Sequence, residues 1–291
     1  MTKPVTDGAT KTVTDANGTT HFFEVYGSEP IVVSKGPPLV VLPPAAIGSA
    51  MVFVPRAVSR VEQVPMVVYY HGHNGSSSIE GYLKADKFRD FRARLASTKA
   101  VLVEPWGGHK SKFCALGTSA GLNSLIDQAM GTAIRLGWPA RAVPSPTPKT
   151  SVILAGFSGG GATLKDLVIG STASYIHRLK EVWCIDCMYS AEGQSWLNWA
   201  KTSGAGKMLR VRTSDEESTG SPRAQAKIIL DAVNHRYEPN IDIEKTTHAK
   251  HEQLAGLFIE EWLRPQPPAL PLLHEQPHAA AAGARIGRRA P

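Results

Sequence analysis

The spacing of hydrophobic positions changes at about Val64, which divides the chain into two parts. Before this point, short β-rich runs alternate with Gly and Pro, a pattern typical of antiparallel strands at a sheet edge. After it, apolar runs of strand length alternate with segments of helical spacing. The alternation predicts an α/β fold: a mostly parallel central sheet with helices on both faces and an antiparallel N-terminal edge.

The predicted elements follow from these runs. The edge strands are expected at residues 21–26, 31–33, 39–42 and 51–54, and the later strands at 66–70, 100–104, 151–155, 181–185, 208–212 and 240–244. Helices are expected at 86–98, 119–136 and 160–168, after Ser221-Pro222, and before Pro265. In the last helix, Leu254, Leu257, Phe258 and Trp262 have the spacing of one buried face.

Composition agrees with a globular protein, because 42% of the residues are hydrophobic and 20% are charged. We expect a flexible N-terminus at residues 1–20, one α/β domain at 21–264, and a disordered, basic tail rich in Pro and Ala at 265–291. The N-terminal residues lack the apolar run of a signal peptide, and no run is long enough to span a bilayer. The expected location is therefore the cytoplasm, with export by another route left open.

The net charge of +7 does not by itself indicate a nucleic-acid partner. Three arginines and one glutamate after Arg264 contribute +2 of it, and the rest is spread along the chain. There is no dense Lys/Arg block and no run of aromatic residues between basic ones. We therefore expect no nucleic-acid partner.

The three cysteines, Cys114, Cys184 and Cys187, do not describe a disulfide scaffold, because their number is odd and the chain is long. The Cys184-x-x-Cys187 pair lies in an apolar run at residues 182–188, and no second such pair exists. We interpret both as core residues rather than as a redox or zinc site.

The sequence Gly156-Phe157-Ser158-Gly159-Gly160 carries the clearest chemical signal. It follows a predicted strand and precedes a predicted helix. A serine in a sharp strand-to-helix turn needs small neighbours, and the turn exposes the hydroxyl and the next N–H. A phosphate-binding loop is the other use of such a glycine-rich turn, but no Lys follows in Walker fashion. Ser158 is therefore the predicted nucleophile.

With this motif, the chain resembles the α/β-hydrolase superfamily over residues 51–264, in the order Ser158, an acid, and a late histidine. It looks most like the compact, lidless bacterial esterases and polyester-hydrolase-like enzymes. The resemblance implies a serine hydrolase that cleaves carboxylic esters through an acyl-enzyme and needs no cofactor. Its substrate would be a small-molecule or polymer ester.

The resemblance also implies an oxyanion hole, formed by the main-chain N–H of Gly159 and a second N–H from the loop after the strand at 66–70. That loop reads His71-Gly72-His73-Asn74-Gly75, so the second donor is expected from His73 or Asn74. The other interpretation of His71-Gly72 is a tight turn without a catalytic role.

The base and the acid of the triad each have two candidates. His251 and His248 both precede the last helix, and His251 is slightly favoured because it stands three residues before Leu254. Asp215 follows the strand at 208–212, the common family position of the acid, and is slightly favoured over Asp186, which ends the preceding strand.

Other functions remain open on the sequence. The same triad serves peptidases, amidases and acyltransferases. Although no HExxH motif is present, Asp186 or Asp215 would offer zinc ligands together with four histidines: His71, His73, His248 and His251. A non-catalytic binding protein with this fold is the third alternative.

Overall fold

The computed structural model describes residues 10–14, 20–26, 29–35, 50–53, 65–74, 98, 100–135, 151–170, 178–202, 206–215, 220–233, 240–243 and 250–263. The interpretations of residues 39–42, of the helix at 86–98 apart from Thr98, and of the tail at 265–291 fall outside these ranges.

The described strands form a single sheet. They are β1 (Thr10–Thr14), β2 (Thr20–Tyr26), β3 (Glu29–Lys35), β4 (Ala50–Phe53), β5 (Pro65–Tyr70), β6 (Val101–Pro105), β7 (Ser151–Phe157), β8 (Leu179–Ile185), β9 (Met208–Arg212) and β10 (Ile241–Ile243). Their order is β1-β2-β3-β4-β6-β5-β7-β8-β9-β10. The six strands β5 to β10 are mutually parallel, whereas β4 pairs antiparallel with β6.

Helical segments connect the parallel strands. The α-helices are α1 (Ser119–Arg135), α2 (Gly161–Lys165), α3 (Gly193–Lys201), α4 (Pro222–Val233) and α5 (His251–Leu263). A 3₁₀ turn at Ser158–Gly160 precedes α2, and a π turn at Asp166–Gly170 follows it. The predicted cap of α4 is present, because the Ser221 hydroxyl accepts a hydrogen bond from the N–H of Ala224 at 3.2 Å.

Buried side chains lie on both faces of the parallel sheet. One cluster joins α1, the helical segment after Ser158, α3 and α4 to one face. The other joins α5 to the opposite face, where Val67, Ile153 and Trp183 are buried. The predicted α/β class with helices on both faces is therefore confirmed.

The predicted buried face of α5 is wrong at one position. Leu257 is 38% exposed, although its spacing placed it with the core. The buried residues of this helix are Leu254, Ala255, Phe258, Ile259 and Trp262. Each residue turns the helix by about 100°. A buried stripe that includes positions 255 and 259 is therefore centred on a side of the helix that does not include position 257.

All three cysteines have free thiols, and Cys184 and Cys187 are buried, as expected for core residues. Burial raises the pKa of the Cys184 thiol well above its ordinary value, so this thiol stays protonated. None of the helices in the described ranges combines the length and the apolar character that a membrane span requires.

Parallel strands place their carboxyl ends at one edge of the sheet. At this edge β5 is followed by His71, β7 by Ser158, β8 by Asp186 and β9 by Thr213. His71, Ser158 and Asp186 therefore lie at the same edge of the sheet.

Candidate active site

Ser158 lies in a sharp turn between β7 and the helical segment that follows. Its φ of +50° is in the left-handed region, which a residue with a Cβ rarely adopts. Such strain is typical of functional sites that the surrounding structure holds in place. The predicted strand-to-helix context of the serine is present.

The glycines around Ser158 allow the turn to pass close to its neighbours. A Cβ on Gly160 would lie 2.1 Å from the carbonyl oxygen of Tyr70, and one on Gly161 would lie 2.1 Å from the carbonyl oxygen of Cys187. Both distances are far below van der Waals contact. The turn is thus pressed against the ends of β5 and β8, which fixes the height of Ser158 above the sheet.

The loop after β5, residues 71–74, adjoins Ser158 and is called here the β5 loop. A Cβ on Gly72 would lie 2.7 Å from Cβ of Ser158. The exposed imidazole of His73 lies against Gly159, where an added Cβ would be 2.7 Å from Cδ2 of His73. The absence of side chains at positions 72 and 159 therefore lets this loop reach the serine.

Asn74 ties the β5 loop to the loop after β6. Its main-chain N–H donates to the carbonyl oxygen of His109 at 3.2 Å, and its side-chain amide donates to the carbonyl oxygen of Gly108 at 3.3 Å. In return, the Nδ1–H of His109 donates to the carbonyl oxygen of Asn74. The main-chain N–H of Asn74, one of the two candidates for the second oxyanion donor, is thus engaged within the protein.

His71 is fully buried beneath this loop. Its Nε2 accepts a hydrogen bond from the N–H of Gly107 at 3.1 Å, and its Nδ1 lies 2.7 Å from the carbonyl oxygen of Gly72. The proton of the neutral ring must then be on Nδ1, since Nε2 acts as an acceptor. Burial lowers the pKa of His71 from 6.5 to about 4, so the ring is neutral at pH 7.

The candidate acid and the candidate base are 65 residues apart in the chain but in contact in the fold. Nδ1 of His251, at the start of α5, is 2.5 Å from Oδ2 of Asp186, which follows β8. The other oxygen of Asp186 accepts the N–H of Ser214 at 2.9 Å, and the N–H of Asp186 donates to the carbonyl oxygen of Arg212 at 2.8 Å. The carboxylate is only 2% exposed, so these bonds fix its orientation.

The ring of His251 is also held by Phe157, the residue before Ser158. The two rings are stacked, with centroids 4.6 Å apart and an interplanar angle of 28°. The side chain of His251 is 39% exposed. The imidazole therefore contacts the acid through one edge and the serine-bearing turn through one face.

Asp215, the acid favoured on the sequence, lies elsewhere. Its side chain is 41% exposed and its carboxylate is 3.6 Å from the guanidinium of Arg223. The contact with His251 is made by Asp186, the other candidate acid. His248, the second candidate base, lies outside the described residues.

The described residues contain no group of three or more His, Cys, Asp and Glu side chains arranged to hold a metal ion. His71, one of the zinc ligands considered from the sequence, has its Nε2 lone pair directed at Gly107 N–H. Its Nδ1 carries the proton, so neither nitrogen offers a lone pair to a metal.

No family model matches the chain, and no curated protein matches it. Among solved structures, a hydrolase from Legionella pneumophila subsp. pneumophila has a TM-score of 0.52 at 12% identity, covering 84% of this chain and 88% of that one. S-formylglutathione hydrolase from Agrobacterium tumefaciens has a TM-score of 0.47 at 12% identity, with 83% and 95% covered. A lidless α/β serine hydrolase from Xanthomonas campestris has a TM-score of 0.38 at 14% identity, with 90% and 98% covered.

The strand order, the parallel sheet and the helices on both faces give this chain the α/β-hydrolase fold. At these identities the likeness extends to the fold alone.

Proposed function

We propose that this protein is a serine hydrolase that cleaves carboxylic esters through an acyl-enzyme intermediate. Ser158 is the nucleophile, His251 the base and Asp186 the acid. The observation that carries the proposal is the 2.5 Å contact between His251 and the buried carboxylate of Asp186, with the same imidazole stacked on the residue before Ser158. A nucleophile, a base and an acid that orients the base are the requirements of the serine-hydrolase mechanism.

In the proposed reaction, Oγ of Ser158 attacks the carbonyl carbon while Nε2 of His251 accepts its proton. Asp186 accepts the Nδ1–H bond, which selects the tautomer with a free Nε2 and stabilises the imidazolium that forms. The alkoxide leaves with the proton from Nε2, and the acyl group stays on Ser158. Water then attacks this acyl-enzyme with His251 again as base, which releases the acid and restores the serine.

The proposed oxyanion donors are the main-chain N–H groups of Gly159 and His73. His73 is preferred to Asn74, because the N–H of Asn74 is already bonded to the carbonyl oxygen of His109. Losing one such donor costs about 2.7–4 kcal/mol of transition-state stabilisation in serine hydrolases. No cofactor takes part in this mechanism.

Esters are the proposed substrates rather than amides, because an alkoxide is a better leaving group than an amide anion, so ester cleavage depends less on proton donation by the general acid. Small-molecule and polymer esters both fit the proposal. Peptide cleavage and acyl transfer would use the same groups. His71 would not serve as a zinc ligand, because neither of its ring nitrogens has a lone pair to offer.

A fluorophosphonate probe tests the proposal, since it phosphonylates only an activated serine. We expect the wild-type protein to be labelled and the Ser158→Ala variant not to be. Ser195→Ala, in α3, is the matched control and should label at the wild-type rate. Hydrolysis of a series of p-nitrophenyl acyl esters, with and without a chelator, then establishes the reaction. A folded wild type that resists the probe, or a Ser158→Ala variant that still reacts, would refute the proposal.

A further inference from the structure

Phe157 occupies a place that the proposed mechanism does not yet use. Its ring is stacked on His251 with a centroid distance of 4.6 Å. The ring also borders the β5 loop, since a Cβ on Gly72 would lie 3.2 Å from Cδ1 of Phe157. One aromatic ring thus contacts the base and lies beside the loop that carries a proposed oxyanion donor.

The stacked geometry has an electrostatic consequence. The face of a benzene ring is negative, so a cation above it is attracted. His251 becomes such a cation when it accepts the proton of Ser158. The interplanar angle of 28° brings the face of Phe157, rather than its positive edge, towards the imidazole.

We propose that Phe157 is a positioning residue for the reaction: its ring holds the plane of the His251 imidazole and stabilises the imidazolium formed in the transition state. The inference rests on the proposed function, because it assigns Phe157 a role in the same proton transfer. It adds a third group to the two that are already assigned to His251, the nucleophile and the acid.

Substitution of Phe157 replaces none of the charged residues described around His251. Among the residues that the structure describes, Asp186, at the end of β8, is the charged group in contact with the imidazole, and its second oxygen is held by the N–H of Ser214 after β9. On its own segment His251 is flanked by Lys250 and Glu252, both exposed. A change in the titration of the base on substitution of Phe157 would therefore report the ring.

The test is the pH dependence of the second-order rate constant for labelling by a fluorophosphonate, which requires no knowledge of the substrate. The imidazole must be neutral to accept the serine proton, so the rate falls on the acid side as His251 is protonated. The proposed attraction between the ring face and the imidazolium acts only on the protonated form. In Phe157→Leu the acid limb should therefore move down by about half a pH unit, and the plateau rate should fall about two- to five-fold.

Leu is chosen because it keeps an apolar side chain beside the imidazole and removes only the ring. Phe157→Tyr restores a ring and should return both the limb and the plateau towards wild type. Phe258→Leu is the matched control, because Phe258 is a buried residue of α5 that stacks on Trp262. It should lower thermal stability without moving the acid limb.

The outcomes separate the two proposals. An unlabelled wild type overturns the proposed function. A labelled wild type with an unshifted acid limb in Phe157→Leu overturns the role of Phe157 and leaves the function intact. A lower plateau without a shift would mean that the ring only supports the turn mechanically, which also contradicts the inference.

Discussion

At the scale of single residues, the acid of the proposed triad is defined by its backbone as much as by its carboxyl group. Asp186 has a φ of +47°, so the chain turns sharply where β8 ends. One carboxylate oxygen accepts the N–H of Ser214 and the other meets His251. A carboxylate held on both oxygens loses little freedom when the imidazole becomes charged, which is the condition for electrostatic preorganisation.

Asparagine at this position tests that role. Asp186→Asn keeps the size of the side chain but removes its charge and presents an N–H to the imidazole, which favours the wrong tautomer. We expect kcat for a p-nitrophenyl ester to fall by about 10³–10⁴, as for serine hydrolases that lose the triad carboxylate in this way. Asp215→Asn is the control and should stay within about two-fold, because its exposed pair with Arg223 contributes little. The reverse order of effects would restore Asp215 as the acid.

The sequence marks the proposed nucleophile more clearly than the proposed acid, for a physical reason. Ser158 is marked by neighbours adjacent in the chain, whose small size the turn requires. Asp186 and Asp215 both follow a strand, and nothing local distinguishes them. The distinction arises from pairing across the sheet: the N–H of Asp186 bonds to Arg212 of the neighbouring strand β9, and Asp215 turns outwards to Arg223.

At the scale of elements, the site depends on how closely the turn at Ser158 packs against the ends of its neighbours. Two adjacent glycines meet different obstacles. An added Cβ on Gly160 would meet the backbone of β5 at 2.1 Å, whereas one on Gly159 would meet the exposed side chain of His73 at 2.7 Å. A backbone atom in a central strand cannot yield, but a surface imidazole can rotate.

This difference predicts contrasting effects of the same substitution. Gly160→Ala should reduce the free energy of unfolding by about 3 kcal/mol or more, because the turn must separate from β5. Gly159→Ala should cost less than about 1 kcal/mol, and any loss of labelling rate should be relieved by His73→Ala in the same chain. Urea unfolding and probe labelling measure the two effects. Equal destabilisation by both alanines would contradict the packing described here.

Element positions were largely predictable because apolar runs and helical spacing are local properties. All six strands predicted after Val64 are present as β5 to β10. Three of them are longer than predicted: β5 begins at Pro65, β7 continues to Phe157 and β8 begins at Leu179. The exposure of Leu257 was missed because spacing alone does not show which stripe of α5 meets the sheet.

At the scale of the whole molecule, His71 links the stability of the fold to the site. Its neutral ring bonds Gly107 to the β5 loop and packs against Trp106 and Phe113, with centroids 5.2 and 5.1 Å away. Protonation would place a second proton on Nε2, directed at the N–H of Gly107, in a fully buried position. The pKa of His71 is therefore lower in the folded state than in the unfolded chain.

The consequence is a loss of stability in mild acid. The pKa of His71 is about 4 in the folded protein and about 6.5 in the unfolded chain, so its contribution is complete above pH 6.5 and is lost as the pH falls towards 4. Of the total of about 3 kcal/mol, about 2 kcal/mol should be lost between pH 7.5 and pH 5. Gln in its place can accept from Gly107 N–H but does not titrate. In urea unfolding, His71→Gln should therefore lose about 2 kcal/mol less than wild type between these pH values, whereas parallel losses in the two proteins would show that His71 does not carry the effect.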